Sequence, residues 1–249
     1  MSAFETQLRF QNGNAKLTKG IWTFSLPAGH TCPGALQCRA FADRHTGKLT
    51  DGSQQIFRCY AASMEAGFPS VRKSRWHNRT LLEQCKSKQA MTDLIETSLP
   101  RNPDKIRIHA SGDFYKQSYF DAWLDVIANH SGIIFYAYTK ALNFWTERLE
   151  DIPANFALTA SFGGRYDALI KEYSLRHVVV VGHPEEAAAL NLPIDHDDSH
   201  AYTIGVDSFA LLVHGMQPPN TAAAAAIKNM KEEGITYSYG RESESTAVA

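Results

Sequence analysis

Apolar residues gather along this chain in six short runs: "WTFSLP" (22–27), "KIRIHAS" (105–111), "GIIFYAYTK" (132–140), "NFALTASF" (155–162), "RHVVVVG" (176–182) and "SFALLVHG" (208–215). Their Val, Ile, Phe and Tyr content predicts β-strands, and the near-continuous apolarity of several predicts a parallel sheet covered on both faces. Between them, apolar positions recur at helical spacing over roughly 79–98, 116–130, 142–150, 165–174 and 184–191. In the second of these segments Tyr119, Phe120, Trp123, Leu124 and Ile127 share one helical face. Proline in "SLP" (98–100) and "NLP" (191–193) closes two of the helices. Strand and helix in alternation imply βαβ units with right-handed crossovers, which leaves a parallel α/β layer or barrel, open or closed.

Two stretches break the alternation. One is the connection 28–78 after the first strand, which contains "DRHTGKLTDGS" and the basic "VRKSRWHNR" (71–79). The other is "PIDHDDSHAYTIGVD" (193–207), before the last strand. Long irregular connections in compact domains are commonly functional, and both are read as lying on the C-terminal side of a strand, where parallel α/β folds place their sites. A single domain is expected over 1–249, with its core at about 15–218 and a helix and tail at 219–249. In that last part "NTAAAAAIK" (220–228) reads as a helix, "GITYSYG" (234–240) as a further strand and "RESESTAVA" as a frayed end.

Composition narrows the class. At 44% hydrophobic and 11% aromatic residues the chain has ample core material, and no run approaches the roughly 18 apolar residues of a membrane span. The 25 basic and 26 acidic residues leave a net charge of −1, so any nucleic-acid surface has to be local. The N-terminal "MSAFETQLRFQNGN" has no apolar core of the signal-peptide kind, and a cytoplasmic, reducing compartment is expected. Disulfides are then a poor explanation for the four cysteines.

Cys32 and Cys38 are separated by five residues, and Cys59 follows after twenty more, which suits neither a thioredoxin-type pair nor a zinc finger. Thiolates bind soft or borderline metals and clusters, whereas isolated buried thiols act as small hydrophobes. Because Cys32 and Cys38 flank a "PGALQ" turn and Cys59 precedes an aromatic at a helix start, the three read as a metal loop. His30 adjoins that loop. Cys85, in "LLEQCKSK", reads as an incidental helical thiol; were it to join the others, four thiolates would close the site as structural zinc or a non-catalytic cluster.

The segments "FSLPAGHTCPGA", "FRCYAASMEAGFPSVRKSRWHN", "ASGDFYKQSYFDAW", "FYAYTKALNFW", "LTASFGG" and "DHDDSHA" resemble the phage gene product 88 family over most of 15–218. The cysteine triplet ending in "CYA" also resembles, in a widely spaced form, the three-cysteine loop of radical S-adenosylmethionine (radical SAM) enzymes. A second landmark is "HASGD" (109–113), where that superfamily has a Gly-Gly-Glu-like turn. This resemblance implies an incomplete (β/α)6 TIM-like barrel with a mostly parallel sheet and a long cysteine-bearing loop after the first strand. It also implies that Cys32, Cys38 and Cys59 hold a [4Fe-4S] cluster with one open iron, and that Ser111, Gly112 and Asp113 hold the amino group of S-adenosylmethionine. A reductant protein would be a partner, and a nucleotide or nucleic acid the substrate.

Polar residues at the strand ends, namely His109, Asp113, Tyr138, Lys140, Ser161, His183 and His214, are expected to converge on a pocket. Lys140, Ser161, His183 and His214 are the catalytic candidates, without assigned steps; His109 also reads as a core histidine. In "DHDDSH" (195–200), Asp195, His196, Asp197, Asp198 and His200 could ligate a divalent metal or form a polar turn, and a substrate- or cofactor-facing loop is the expected role. Arg72, Lys73, Arg75, Trp76 and Arg79 mix cations with an aromatic as a phosphate or nucleic-acid contact does, or as a solvated face does. Beside the iron–sulfur enzyme stand two alternatives. One is a non-catalytic, zinc- or cluster-stabilised module binding nucleic acid or a host protein; the other is a metal-dependent hydrolase centred on 195–200.

Overall fold

A computed structural model describes residues 6–14 and 17–235. The chain opens with an antiparallel ribbon of β1 (Phe10–Asn14) and β2 (Leu17–Ser25), followed by a small hairpin of β3 (Ala40–Ala42) and β4 (Leu49–Asp51). Three helices come next, α1 (Tyr60–Gly67), α2 (Pro69–Gln84) and α3 (Lys88–Ser98). Strands and helices then alternate: β5 (Lys105–Ser111), α4 (Gln117–Asn129), β6 (Ile134–Thr139), α5 (Leu142–Thr146), β7 (Phe156–Ser161), α6 (Ala168–Glu172), β8 (His177–Val181) and α7 (Pro184–Ala189). The short α8 (Ser199–Tyr202), β9 (Phe209–Leu212) and α9 (Ala222–Glu232) complete the described chain.

Seven strands form one sheet in the order β1-β2-β5-β6-β7-β8-β9, parallel from β2 onward. The sheet is open among the described residues, with β1 and β9 at its edges. Six parallel strands in unbroken chain order have a physical consequence. Right-handed crossovers without a reversal send the connecting helices to the same face. That face holds the main core, where Phe24, Ile106, Phe135 and Leu158 meet Phe120, Trp123 and Ile127 of α4. Each such fully buried side chain stabilises the fold by about 1.5–3 kcal/mol. The opposite face presents Ile21, Tyr136, Ala157, Val178 and Phe209.

The five later strand expectations match β5 to β9, because continuous apolar runs mark doubly covered strands. Three differences have identifiable causes. β1 is a polar edge strand, "FQNGN", with no apolar run to announce it. The helix read over 79–98 is two helices: Cys85 is extended (φ −69°, ψ 123°), and Ser87 restarts the chain by accepting the Ala90 N–H at 3.1 Å. The loop 193–207 follows α7 rather than a strand, so it returns to the N-terminal end of the sheet. There Lys105, the first residue of β5, lies over the Tyr202 ring at 4.9 Å. The strand read over 234–240 and the tail beyond lie, from residue 236, outside the described residues.

Candidate functional site

A cavity of about 430 Å³ lies on the face of the sheet opposite α4, walled by β-strand residues such as Arg107, Tyr138, Val178 and Leu211 and roofed by the 28–60 connection and the start of α1. Cys32, Cys38 and Cys59 all line it. The twenty residues between Cys38 and Cys59 contain the β3–β4 hairpin, which leaves and returns, so the Cys59 N–H donates to the Cys38 carbonyl at 3.3 Å. Sequence distance is thereby cancelled. The loop is anchored to the strand ends: Leu36 and Gln37 N–H both donate to the Gly163 carbonyl, and Arg165 N–H to that of Gly34 at 2.8 Å. Gly34 is required by close approach, since a Cβ there would sit 2.1 Å from the Lys140 carbonyl oxygen.

The turn Ser111–Gly112–Asp113 borders the same cavity. It follows a bulge: Thr23 and Ser25 of β2 pair with Arg107 and Ser111 of β5, so two steps on one strand face four on the other. His109 absorbs the excess at φ 63° and Gly112 follows at φ 83°. Bulges of this kind re-aim side chains beside functional sites. The Asp113 carboxylate accepts from Phe114 N–H (2.8 Å), Thr139 Oγ1 (2.7 Å) and Lys140 N–H (2.8 Å). Of a carboxylate's roughly four lone-pair positions, about one stays open. Glu65, which sequence reasoning missed, ties the turn to the cysteine loop; its Oε1 accepts from Ala28 N–H and Arg75 Nη1 at 2.8 Å and from Ser111 Oγ at 3.3 Å. An acid inside the apolar stretch "YAASMEAG" was the signal available.

Burial sets the electrostatics. The thiols are sunk in protein while part of each cysteine opens on the cavity. Burial pushes the Cys32 thiol well above its usual range, helped by Asp113 and the two other cysteines; it raises Cys38 to about 11 and Cys59 upward too. Cys32 thus feels both other thiols, and Cys38 feels Cys59. Burial also raises Asp113 to about 6 against the hydrogen bonds it accepts. No three His, Cys, Asp or Glu side chains among the described residues are gathered so that they could hold one metal ion.

At the opposite end of the cavity Arg107 stands on β5 and donates from Nη1 to Asp198 at 2.8 Å. Asp198 also accepts from Tyr136 OH (2.9 Å) and Tyr138 OH (3.4 Å). Arg107 Nε is buried and has no partner among the described residues, an arrangement that costs about 1–3 kcal/mol unless a ligand meets it. Sequence reasoning missed Arg107 because its strand position gives no sign of which face it takes.

Lys140, Ser161 and His214 line the cavity as expected. Lys140 Nζ donates to Ser161 Oγ (2.8 Å), the Ser161 carbonyl (3.0 Å) and the Phe162 carbonyl, while the His214 ring packs at a 42° tilt against Tyr60, with centroids 4.8 Å apart. His183 does not join them: it starts α7 and pairs with Glu233 at 2.8 Å. Cys85 lies at the end of α2 against the helix-side core, its Sγ 3.5 Å from the carbonyls of Leu81 and Ala90. His30 bonds the Ala42 carbonyl and packs edge-on to Trp76.

The basic patch on α2 is largely turned inward. Arg72 is buried and donates to the carbonyls of Arg44 and Glu65, and Arg75 to the Ala61 carbonyl and the Glu65 carboxylate. Arg79 pairs with Glu83 and covers Tyr115, Trp76 stacks with Arg44, and Lys73 is exposed. Arg72 and Trp76 fasten the cysteine loop to α2, and Arg75 holds α1 against it. In 195–200, likewise, Asp195 accepts from the Asp197 and Ala201 N–H groups, and Asp197 from that of Ser199. The segment latches the N-terminal end of the sheet and contributes to the cavity only through Asp198 behind Arg107.

An open, mostly parallel α/β sheet with a ligand-sized cavity under a cysteine-bearing loop is the class these features define. Residues 6–231 match the family model described as Gene product 88, and the chain belongs to that family. Among curated proteins it is similar to the Gene 88 protein of Mycobacterium phage D29, 32% identical over 111 residues, and to that of Mycobacterium phage L5, 29% identical over 111 residues. Each match covers 40% of this chain and 46% of the relative, so the chain spans less than half of their length. No solved structure matches it. No helix among the described residues is long and apolar enough to cross a membrane.

Proposed function

We propose that the chain is an iron–sulfur enzyme of the radical S-adenosylmethionine type, with its sheet curled into an incomplete (β/α)6 barrel around the cavity. One observation carries the reading. Three thiols far apart in sequence line one cavity at the C-terminal end of six parallel strands, beside the Ser111–Asp113 turn, while Cys85 stays away. Three soft thiol donors lining one cavity are the donor set a cubane takes, each on a different iron. Held by Cys32, Cys38 and Cys59, such a cluster would leave one iron for the amino and carboxylate groups of S-adenosylmethionine and would pass on an electron from an external reductant for its cleavage.

The chain's own residues would act around that group. Cys32, Cys38 and Cys59 give three soft ligands, and Asp113 offers its remaining lone pair to the cofactor's ammonium. Val178, Val180 and Leu211 exclude water from the chamber. Lys140 fixes the Ser161–Phe162 backbone opposite the turn, so it is a positioning residue. The α2 patch lends no support to a nucleic-acid surface, because Arg72 and Arg75 are bound internally.

The test is consumption of S-adenosylmethionine by protein purified without oxygen and supplied with a strong reductant. Wild type should consume it; Cys59→Ala should not. Gly112→Ala should also lose the activity, since a Cβ at φ 83° would meet Thr31 Oγ1 at 2.5 Å and Leu26 Cβ at 2.7 Å. Consumption that persists in Cys59→Ala, or is absent from wild type, contradicts the reading.

A further inference from the structure

We infer that the deep end of the cavity is an oxyanion receptor, and that the protein's substrate is a small molecule carrying a carboxylate or phosphate on an apolar body. Arg107 reaches the cavity from the middle of β5, four residues before Ser111 and therefore below the cysteine end. Its guanidinium has a fixed orientation: Nη1 donates to Asp198 at 2.8 Å and the Tyr138 ring lies 5.0 Å away. The Asp198 carboxylate is held in turn by Tyr136 OH and Tyr138 OH. With Nη1 engaged, the Nε–Nη2 edge remains, and Nε is buried without a partner among the described residues. That edge is a pre-set fork matching two oxygens of a carboxylate or phosphate.

The surroundings favour an anionic head over other polar groups. A guanidinium only donates, so a ligand there has to accept, and a charged acceptor gains most in a low-dielectric pocket. Above Arg107 the walls turn apolar at Val178, Val180 and Leu211, which sets the rest of the ligand. Calling this ligand the substrate rests on the reading above; the oxyanion preference does not.

Binding to the full chain is to be measured calorimetrically with benzoate, phenyl phosphate and benzyl alcohol, the last a neutral analogue of similar size. At least one of the acids should bind wild type about tenfold or more tightly than the alcohol, as expected for charge-assisted hydrogen bonds; which acid is preferred tells carboxylate from phosphate. Arg107→Lys keeps a cation beside Asp198 but lacks the fork and should lose most of that preference. The charge-neutral pair Arg107→Met with Asp198→Asn should abolish it. Cys59→Ala should retain it whether or not that variant holds iron, so failure of the cluster reading leaves this result standing. Equal binding of the alcohol, a preference that survives in Arg107→Lys and in the double variant, or no binding of any probe to folded wild type would overturn the inference. Should the double variant not fold, Arg107→Lys decides.

Discussion

The two ends of the parallel sheet carry two polar-rich connections in opposite condition. At the N-terminal end, residues 195–202 bring three aspartates within four positions, and each carboxylate is engaged by backbone N–H groups, Arg107 or tyrosine hydroxyls. At the C-terminal end, residues 26–60 bring three thiols, opening on a cavity beside a bulged strand. The acidic segment reads in sequence as a substrate- or cofactor-facing loop that could also ligate a divalent metal, yet its acceptors are occupied. Density of ligand-type residues thus says less about a site than whether their bonding capacity is already used.

Removing a member of the engaged network should have the largest effect. Asp198→Ala leaves Arg107 buried and unpaired, with side-chain exposures of 15% for Arg107 and 1% for Asp198 in the native pair. A loss of about 3–5 kcal/mol is expected in urea unfolding. Cys38→Ala, at the other end, should change the stability of the metal-free chain by less than about 1 kcal/mol. A neutral Asp198→Ala would remove the contrast.

A smaller, pH-dependent effect sharpens it. Burial depresses His109 from 6.5 to about 3, and its ring is enclosed by Phe24, Phe114 and Tyr119, whose hydroxyl it meets at 3.0 Å. Between those values the unfolded chain binds more protons at this residue than the folded one, so stability is lost as pH falls through the window. Its share is about 2 kcal/mol between pH 7 and pH 5, at 1.4 kcal/mol per unit below the unfolded value. His109→Asn, which tolerates the left-handed backbone, should remove that share from the unfolding free energies at the two pH values. An unchanged difference would show that His109 is not held neutral.

The strands β5 to β9 were legible because doubly covered parallel strands must be apolar throughout, and the cysteine triplet was legible by residue type. Its geometry was not. The β3–β4 hairpin that returns Cys59 to Cys38 has three-residue strands joined by a polar turn, too short for a periodic signal. His183 reads like a strand-end pocket residue and instead starts α7, since a cap and a site residue occupy the same position after a strand. Arg72 and Arg75 read as a cationic face; the groups that capture them belong to the preceding helix, at Ala61 and Glu65, and to Arg44, 28 residues from Arg72, and a linear charge pattern shows none of these pairings. The segment 193–207 was placed at the wrong end because its density of Asp and His resembles a site loop, although the helix that precedes it has already carried the chain back along the sheet.

The most direct test of the account is the iron and acid-labile sulfide content of protein purified without oxygen, compared among wild type, Cys32→Ala, Cys59→Ala and Cys85→Ser. About four of each per chain are expected in wild type and Cys85→Ser, as in a [4Fe-4S] protein, with loss in the other two variants. Zinc in place of iron, or equal dependence on Cys85, would contradict it.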